Sequence, residues 1–241
     1  AMTSDVIIHS NPDKTGLHDA AHNVAAHLDA EIGDVDKTLE SSKFVFEGTY
    51  STPFVQMASI EPHISLTWLD ENNRLVIRTS TQVPFHVRRI VAEVMGIPVS
   101  KIRVIKPRLG GGFGGKQEIL NEELVAAVTL KTGRPARIEY TRAEELFAAR
   151  LRHPELVSFR LGFDENQMLT AIDLNILENC GAYGPHALTV MSVTAQKALS
   201  MYKAPSIRVN GDGVYTNLPI GGAYRGYGAP QAFFPFGKSH G

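Results

Sequence analysis

The stretch whose residues most clearly indicate a chemical function is a glycine-rich loop, RLGGGFGGKQE, at residues 108–118. Glycine fills five of the six positions 110–115, and Phe113 is the exception. Consecutive glycines let backbone N–H groups approach a ligand without obstruction by Cβ atoms. A second glycine-rich loop, PIGGAYRGYGAPQ at residues 219–231, carries Arg225 among its glycines. Two such loops in one chain favour a shared ligand over close packing alone.

The first loop fits two phosphate-binding patterns. Up to Lys116 it satisfies the G-x-x-x-x-G-K of the P-loop, but Gln117 stands where a hydroxyl must bind magnesium. The dinucleotide pattern G-x-G-x-x-G fits better, because a predicted strand precedes the loop and Glu139 ends the next strand. A Rossmann-like NAD-dependent dehydrogenase therefore stays open as an alternative. Against it, the preceding strand KIRVIK alternates in polarity, whereas a central parallel strand is apolar on both faces.

Composition narrows the class of protein. The 241 residues are 43% hydrophobic and 20% charged, as in an ordinary globular protein. With 24 basic and 25 acidic residues, the chain offers no argument for binding nucleic acid or an anionic membrane. The single cysteine, Cys180, excludes a disulfide framework and a Cys-rich metal site within this sequence and favours a cytoplasmic location. No apolar run is long enough to cross a membrane.

Hydrophobic periodicity predicts an α+β fold with mixed sheets, long β-hairpins and packed helices. Residues 1–40 are predicted to be a linker with a short amphipathic helix at 17–30, and residues 41–241 to form one domain. The stretch SIRVNGDGVYTN at 206–217 predicts a strand, a turn and a second strand. The remaining elements are strands at 43–50, 101–106 and 136–141, hairpins at 65–81 and 155–179, and helices at 84–95, 118–132, 143–150 and 187–199.

Both glycine-rich loops resemble the hallmark loops of the molybdenum hydroxylases, the family of xanthine dehydrogenase and aldehyde oxidase. The matching residues are GGGFGGK at 110–116 and AYRGYGAPQ at 223–231, with STQ at 80–82 and EPH at 61–63 at the family's intervals. The resemblance covers about residues 40–235 and corresponds to the first molybdopterin-binding domain of the large subunit.

This resemblance implies a molybdenum–molybdopterin cofactor, which in many members carries a cytosine nucleotide. Iron–sulfur clusters and FAD would lie only on partner domains or subunits. The chain would be a fragment or split subunit of a hydroxylase that oxidises a heteroaromatic or aldehyde carbon with oxygen from water. Its partners would be the second molybdopterin domain, an iron–sulfur subunit, an FAD subunit, a small-molecule substrate and a second copy in a homo-oligomer. Alone it would be inactive, and a non-catalytic interaction fragment of a larger complex is a second alternative.

The resemblance also assigns roles to individual residues. Gln82 would lie near the metal, its amide hydrogen-bonded to a molybdenum ligand. Phe113 and Gly114 would cover the apical oxo group, and the Gly114 N–H would donate to it. Arg225 would point into the substrate pocket and stabilise developing negative charge. No side chain of this sequence is expected to bind the metal directly. The glycines expected to bring the backbone against the cofactor are Gly111, Gly112, Gly114 and Gly115.

Position 117 departs from the pattern of the purine-oxidising members. They carry Glu directly after the lysine, where this sequence has Gln117 and places Glu118 one residue later. If a helix begins here, Glu118 points in another direction. A neutral amide in place of a carboxylic acid argues against xanthine as the substrate. The family's general base, a glutamate of the second molybdopterin domain, is not in this sequence.

Overall fold

The computed structural model describes residues 2–10 and 17–238 and confirms the predicted α+β class. The chain forms two compact units: an inserted unit, Gln56–Leu151, and a flanking unit, Ala1–Val55 with Arg152–Gly241. In chain order the elements are β1 (Val24–Ile32), α1 (Val35–Ser41), β2 (Phe44–Ser51), β3 (Ile64–Leu69), β4 (Leu75–Thr79), α2 (Pro84–Met95), a 3-10 turn (Val99–Lys101), β5 (Ile102–Ile105), α3 (Glu122–Thr132), β6 (Ala136–Glu139), α4 (Arg142–Ala148), β7 (Leu151–Arg152), β8 (Glu155–Phe163), β9 (Leu169–Gly181), α5 (Ala187–Ser200), β10 (Ser206–Tyr215), β11 (Gly221–Gly222) and α6 (Ala229–Lys238).

The flanking unit is built on a five-stranded sheet in the order β1-β10-β9-β8-β2. The predicted β8–β9 hairpin is confirmed, and β10 beside β9 is the one parallel pair of this sheet. Apolar residues alternate along the central strands because successive side chains point to opposite faces. They form one buried core with residues of α5 and α6, in which Phe159 stacks on Tyr50 and lies against Phe236.

The helix predicted at residues 17–30 is wrong, because Val24–Ile32 forms β1 and pairs antiparallel with β10. Val24, Ala26 and Leu28 alternate, while Leu17, Ala21, Val24 and Leu28 recur at helical spacing, so the stretch fits both periods. The open edge of β10 decides between them by offering a hydrogen-bonding partner. Nine residues of the predicted linker therefore belong to the sheet. The part of that prediction at residues 11–16 lies outside the described residues.

The turn predicted within SIRVNGDGVYTN is also wrong, because β10 runs unbroken from Ser206 to Tyr215. Its glycines serve close packing. A Cβ on Gly211 would lie 2.7 Å from Sδ of Met191 in α5, and one on Gly213 would lie 3.1 Å from Sγ of Cys180. Glycine inside a strand often marks such a close approach rather than a turn.

The inserted unit has a four-stranded sheet in the order β5-β4-β3-β6, with its buried core formed together with α2 and α3. The predicted β3–β4 hairpin is confirmed. Only β4 and β5 are parallel, and β5 lies at the edge of the sheet. A Rossmann fold requires the strand before its glycine loop to lie inside a parallel sheet. The dehydrogenase alternative is therefore contradicted.

Gly211→Val should lower the free energy of unfolding by about 1–3 kcal/mol, since its side chain would collide with Met191. The neighbouring Asn210→Val is the matched control, because residue 210 is exposed on the opposite face of the strand. Asn210→Val should change stability by no more than about 0.5 kcal/mol. Urea denaturation followed by circular dichroism measures both. Equal losses would contradict the packing role of Gly211.

Candidate functional site

Gln82, directly before α2, fixes the first glycine-rich loop. Its Oε1 accepts hydrogen bonds from the N–H of Gly114 at 3.0 Å and of Lys116 at 3.3 Å. Its own N–H donates to the Lys116 carbonyl at 2.7 Å. The Nε2 group of Gln82 has no hydrogen-bond partner among the residues that the structure describes. Its two hydrogens are therefore available to an acceptor outside the chain.

The loop backbone takes a conformation that strongly favours glycine. Gly111 and Gly114 have φ of 104° and 101°, in the region that L side chains rarely adopt. A Cβ on Gly112 would lie 2.5 Å from Oε1 of Gln82. Phe113 also has a positive φ, 51°, and its side chain is 48% exposed. Such strain at an exposed aromatic residue is typical of functional sites rather than of packing.

The structure differs from the expected role of the Gly114 N–H. That group was expected to donate to a cofactor ligand, but it donates to Gln82 Oε1. The reason is local, because a single carbonyl oxygen accepts from Gly114 and Lys116 together. The Nε2 hydrogens of Gln82 are among the donors near the loop that have no acceptor among the described residues.

The ammonium group of Lys116 is bound to Glu61 within the protein. Its side chain is 1% exposed, and Nζ donates to the carbonyl of Glu61 at 2.9 Å and to its Oε1 at 2.7 Å. The other carboxylate oxygen of Glu61 accepts from the Gly110 N–H at 3.1 Å. This ion pair ties the start of the loop to its end. It explains physically why the P-loop pattern does not describe the loop.

His63 and Glu145 form a second buried pair beneath the loop. Nδ1 of His63 lies 2.9 Å from each carboxylate oxygen of Glu145, and Nε2 lies 3.2 Å from the carbonyl of Gly115. Both ring nitrogens of His63 therefore lie within hydrogen-bond distance of an oxygen atom. Burial raises the pKa of Glu145, whereas hydrogen bonds from the His63 ring and backbone N–H lower it. The lowering effects together are larger, so the pKa lies below its ordinary value.

The residues after the lysine form turns rather than the start of a helix. The prediction of a helix from residue 118 is wrong, because α3 begins at Glu122. The Glu122 carboxylate accepts from the N–H groups of Leu120 and Asn121, which satisfies the backbone before the helix. Glu118 is held by Arg150. The side chain of Gln117 has no hydrogen-bond partner among the described residues.

Arg225 lies in the flanking unit, whereas Gln82 and residues 110–117 lie together in the inserted unit. The Arg225 side chain is exposed and makes no hydrogen bond or ion pair with the described part of the chain. Glycines with positive φ, Gly226 at 93° and Gly228 at 87°, follow it. Tyr227 is fixed by its hydroxyl, which lies 2.6 Å from Nδ1 of His186.

Arg152 anchors the loop that carries Arg225, a role that the sequence analysis did not predict. Its guanidinium carbon lies 3.9 Å from the centre of the Tyr224 ring. Its Nη2 donates to the carbonyl of Arg225 at 2.6 Å, and Nη1 donates to Oε1 of Gln231 at 3.0 Å. Arg152 is only 8% exposed. The available signal was a run of polar residues, RHPE, at the start of a strand with alternating burial.

Within residues 2–10 and 17–238, no group of three or more His, Cys, Asp or Glu side chains is placed to hold a metal ion. The same residues contain no helix that is both long and apolar enough to cross a membrane.

The sequence matches the family model described as "Molybdopterin cofactor-binding domain" over residues 17–237. It is 42% identical over 88% of its length to a probable hypoxanthine oxidase of Escherichia coli K12, and spans 22% of that protein. It is 36% identical over 92% of its length to a putative xanthine dehydrogenase molybdenum-binding subunit of the same organism, and spans 30% of it. The corresponding values for the nicotinate dehydrogenase large molybdopterin subunit of Eubacterium barkeri are 33%, 90% and 50%.

Among solved structures, the chain is similar to the aldehyde oxidoreductase of Desulfovibrio desulfuricans, with a TM-score of 0.84 and 26% identity. That match covers 89% of this chain and 24% of the other. The chain belongs to the molybdopterin cofactor-binding domain family, and within it to the first molybdopterin domain of the molybdenum hydroxylases. The expected family and fold are thereby confirmed.

Glu145→Gln should destabilise the inserted unit by about 3 kcal/mol at pH 7, because it removes the buried carboxylate that accepts from the His63 ring and N–H. The lowered pKa of Glu145 means that its contribution is present above the ordinary carboxyl range and is lost as the pH falls below it. The variant should therefore lose less stability than the wild type on acidification. The single tryptophan, Trp68 in β3, reports unfolding of this unit by fluorescence.

Glu93→Gln, at an exposed position of α2, is the control and should behave like the wild type. Parallel stability curves for Glu145→Gln and the wild type from about pH 5 down to about pH 2 would contradict the pairing.

Proposed function

We propose that this chain forms part of the active site of a molybdenum hydroxylase that oxidises a heteroaromatic or aldehyde carbon. The observation that carries the proposal is the orientation of Gln82. Two loop N–H groups hold its carbonyl oxygen, and its Nε2 hydrogens have no acceptor among the described residues. Family membership supports the cofactor, molybdenum–molybdopterin. When bound, the cofactor supplies the two-electron oxidation and the oxygen taken from water.

The residues present fit such a group. Gln82 offers two fixed donors to an electronegative ligand of the metal, and a preorganised donor costs little reorganisation during the reaction. Phe113 provides an exposed apolar surface at the tip of the loop, which would exclude water from the reacting atoms. The glycines at 111, 112, 114 and 115 would let the backbone approach the pterin.

Arg225 would act on the substrate. Its guanidinium is not engaged by a carboxylate of the described residues, so its charge remains available for a ligand. In the substrate pocket it would stabilise negative charge that develops as the substrate is oxidised. Tyr224 and Tyr227, on either side of it in the sequence, would provide aromatic walls. Because Arg152 holds the backbone of Arg225, the long side chain would start from a fixed point.

Substrate preference would depend partly on Gln117. This side chain offers a neutral amide, which donates and accepts but gives no charge-assisted hydrogen bond. The engagement of Glu118 by Arg150 keeps that carboxylate from replacing it. These features support a substrate other than xanthine, such as a pyridine carboxylate or an aromatic aldehyde. Relatives named for hypoxanthine and for nicotinate both exist, and residue 117 is the position to compare.

The complete enzyme would require more than this chain. The cofactor would be shared with a second molybdopterin domain, which would also supply the general base, and the cytosine dinucleotide form is our expectation. Electrons would leave through iron–sulfur and FAD subunits. The names of two relatives describe them as subunits, which supports a multi-subunit assembly. A cytoplasmic location is our expectation. A homo-oligomer of that assembly is also expected.

Gln82→Glu should abolish most activity while leaving the loop folded. The new carboxylate still accepts from the Gly114 and Lys116 N–H groups, but it loses the Nε2 donors. The turnover number of the complete enzyme should fall roughly a hundredfold or more, as for removal of one preorganised donor. Gln167→Glu, in the exposed turn between β8 and β9, is the matched control. Activity equal to the wild type at equal molybdenum content would overturn the assignment of Gln82.

Arg225→Lys should lower kcat of the complete enzyme about a hundredfold and change KM much less, because the charge it stabilises appears only in the transition state. Lysine retains the positive charge but lacks the planar fork of donors. Steady-state kinetics with molybdenum analysis makes the measurement. A wild-type kcat at full metal loading would mean that Arg225 has no catalytic role.

A further inference from the structure

Two carboxyl groups are buried against each other in the flanking unit. Glu155 and Glu178 are directly opposite residues of the antiparallel strands β8 and β9. They are 2% and 0% exposed. Oε2 of each has no hydrogen-bond partner among the described residues. Two ionised carboxylates cannot share a buried position at low energetic cost, whereas a proton between them satisfies both oxygens.

The surroundings offer little positive charge to offset two negative ones. Arg152 acts on Glu155, but its own hydrogen bonds go to the Arg225 loop and to Gln231. Nε2 of His153 is 4.0 Å from Oε1 of Glu178, and the neutral thiol of Cys180 is 3.5 Å from the same atom. The other titratable groups facing this cluster are Tyr215 and Tyr224, while the residues that α5 and α6 place beside it are the uncharged Thr194 and Gln231.

The electrostatics agree with a protonated pair. Burial raises the pKa of Glu155 to about 8, although hydrogen bonds with Thr194 and Glu178 oppose the shift. Burial and the neighbouring Glu155 raise the pKa of Glu178 well above its ordinary value. Burial, followed by the charge of Glu178, also raises the pKa of Cys180 and keeps its thiol neutral.

A hydroxyl links this pair to the loop of Arg225. Oγ1 of Thr194 lies 2.9 Å from Oε1 of Glu155 and 3.2 Å from the carbonyl oxygen of Gly228. A threonine hydroxyl has a single hydrogen to donate. If Glu155 is protonated, it can donate to Oγ1, and the Thr194 hydrogen can then go to Gly228. If Glu155 is ionised, both neighbours of Thr194 are acceptors, and only one of them receives its hydrogen.

We propose that Glu155 and Glu178 are positioning residues that retain a proton and, through Thr194, hold the 223–228 loop. Protonated Glu155 leaves the Thr194 hydrogen to the Gly228 carbonyl, which also accepts from the Ala232 N–H at 3.1 Å. Loss of that proton diverts the Thr194 hydroxyl and weakens the hold on the end of the loop. The consequence for turnover rests on the proposed role of Arg225. The effect on the loop itself does not, so the two can fail separately.

The sign of the pH effect follows from the raised pKa. The closed loop retains a proton that the opened loop releases, so the stabilisation is present at low pH and is lost as the pH rises towards 8. Hydrogen exchange of residues 223–231, corrected for intrinsic rates, should lose protection by up to about tenfold per pH unit over this range. The measurement requires only the chain itself.

Three variants separate the proton relay from simple packing. Glu155→Gln donates permanently to Thr194, so loop protection should stay high and independent of pH. Thr194→Val removes the hydroxyl and should give low protection at every pH, whereas Thr194→Ser should restore the wild-type response. Glu165→Gln, at an exposed carboxyl of the same unit, should match the wild type.

Infrared difference spectroscopy gives a readout that needs no variant to fold. The wild type should show the C=O band of a protonated carboxylic acid at pH 7, and this band should decrease as the pH is raised through 8. Absence of that band at pH 7 would overturn the proposal. So would a loop whose protection depends on pH equally in Glu155→Gln and the wild type, or Thr194→Val protected as strongly as the wild type.

Discussion

The hydrogen bonds between the Gln82 side-chain amide and the first glycine-rich loop are the interaction on which the candidate site of the inserted unit depends. Gln82 Oε1 accepts from Gly114 and Lys116, and this demands a loop that passes close to a side chain preceding α2. Only glycine fits at position 112, where a Cβ would collide with the amide. The same contact fixes which end of the amide remains free. The glycines of the loop, the position of Gln82 before α2 and the direction in which its amide can donate therefore all depend on this one contact.

Each glycine-rich loop also rests on a buried cation. Lys116 donates to the Glu61 carbonyl beneath the first loop, and Arg152 donates to the Arg225 carbonyl beneath the second. Because glycine has no side chain that could anchor a loop, the backbone carbonyls and amides must do so. A buried charged donor forms stronger hydrogen bonds to them than a neutral one. Glu61 balances the charge of Lys116, whereas Arg152 is held by its hydrogen bonds and by the Tyr224 ring.

The proposed chemistry divides among separate pieces of chain. Gln82 and the Phe113 loop come from the inserted unit, and Arg225 comes from the flanking unit. The probable hypoxanthine oxidase and the nicotinate dehydrogenase subunit are about four times and about twice as long as this chain, so the proposed site would include parts from outside these 241 residues. Such a division would account for the side-chain donors of Gln82 and Arg225, which have no acceptor among the described residues. A group placed to serve a ligand is left unpaired by the residues that position it.

The sequence by itself determined the α+β class, most helices and strands, and the two loops with their side chains, because these depend on local periodicity and on glycine chemistry. The sequence could not decide whether β1 is a helix or a strand, because its residues fit both periods. Pairing with the edge of β10 makes it a strand. Nor could the sequence show that Gly211 serves packing against α5, or that the Gly114 N–H donates to Gln82. Arg152, Glu145 and the Glu155–Glu178 pair gain their roles from burial beside residues distant in sequence. Only the tertiary structure creates such contacts, since the desolvation that makes them matter does not exist in an extended chain.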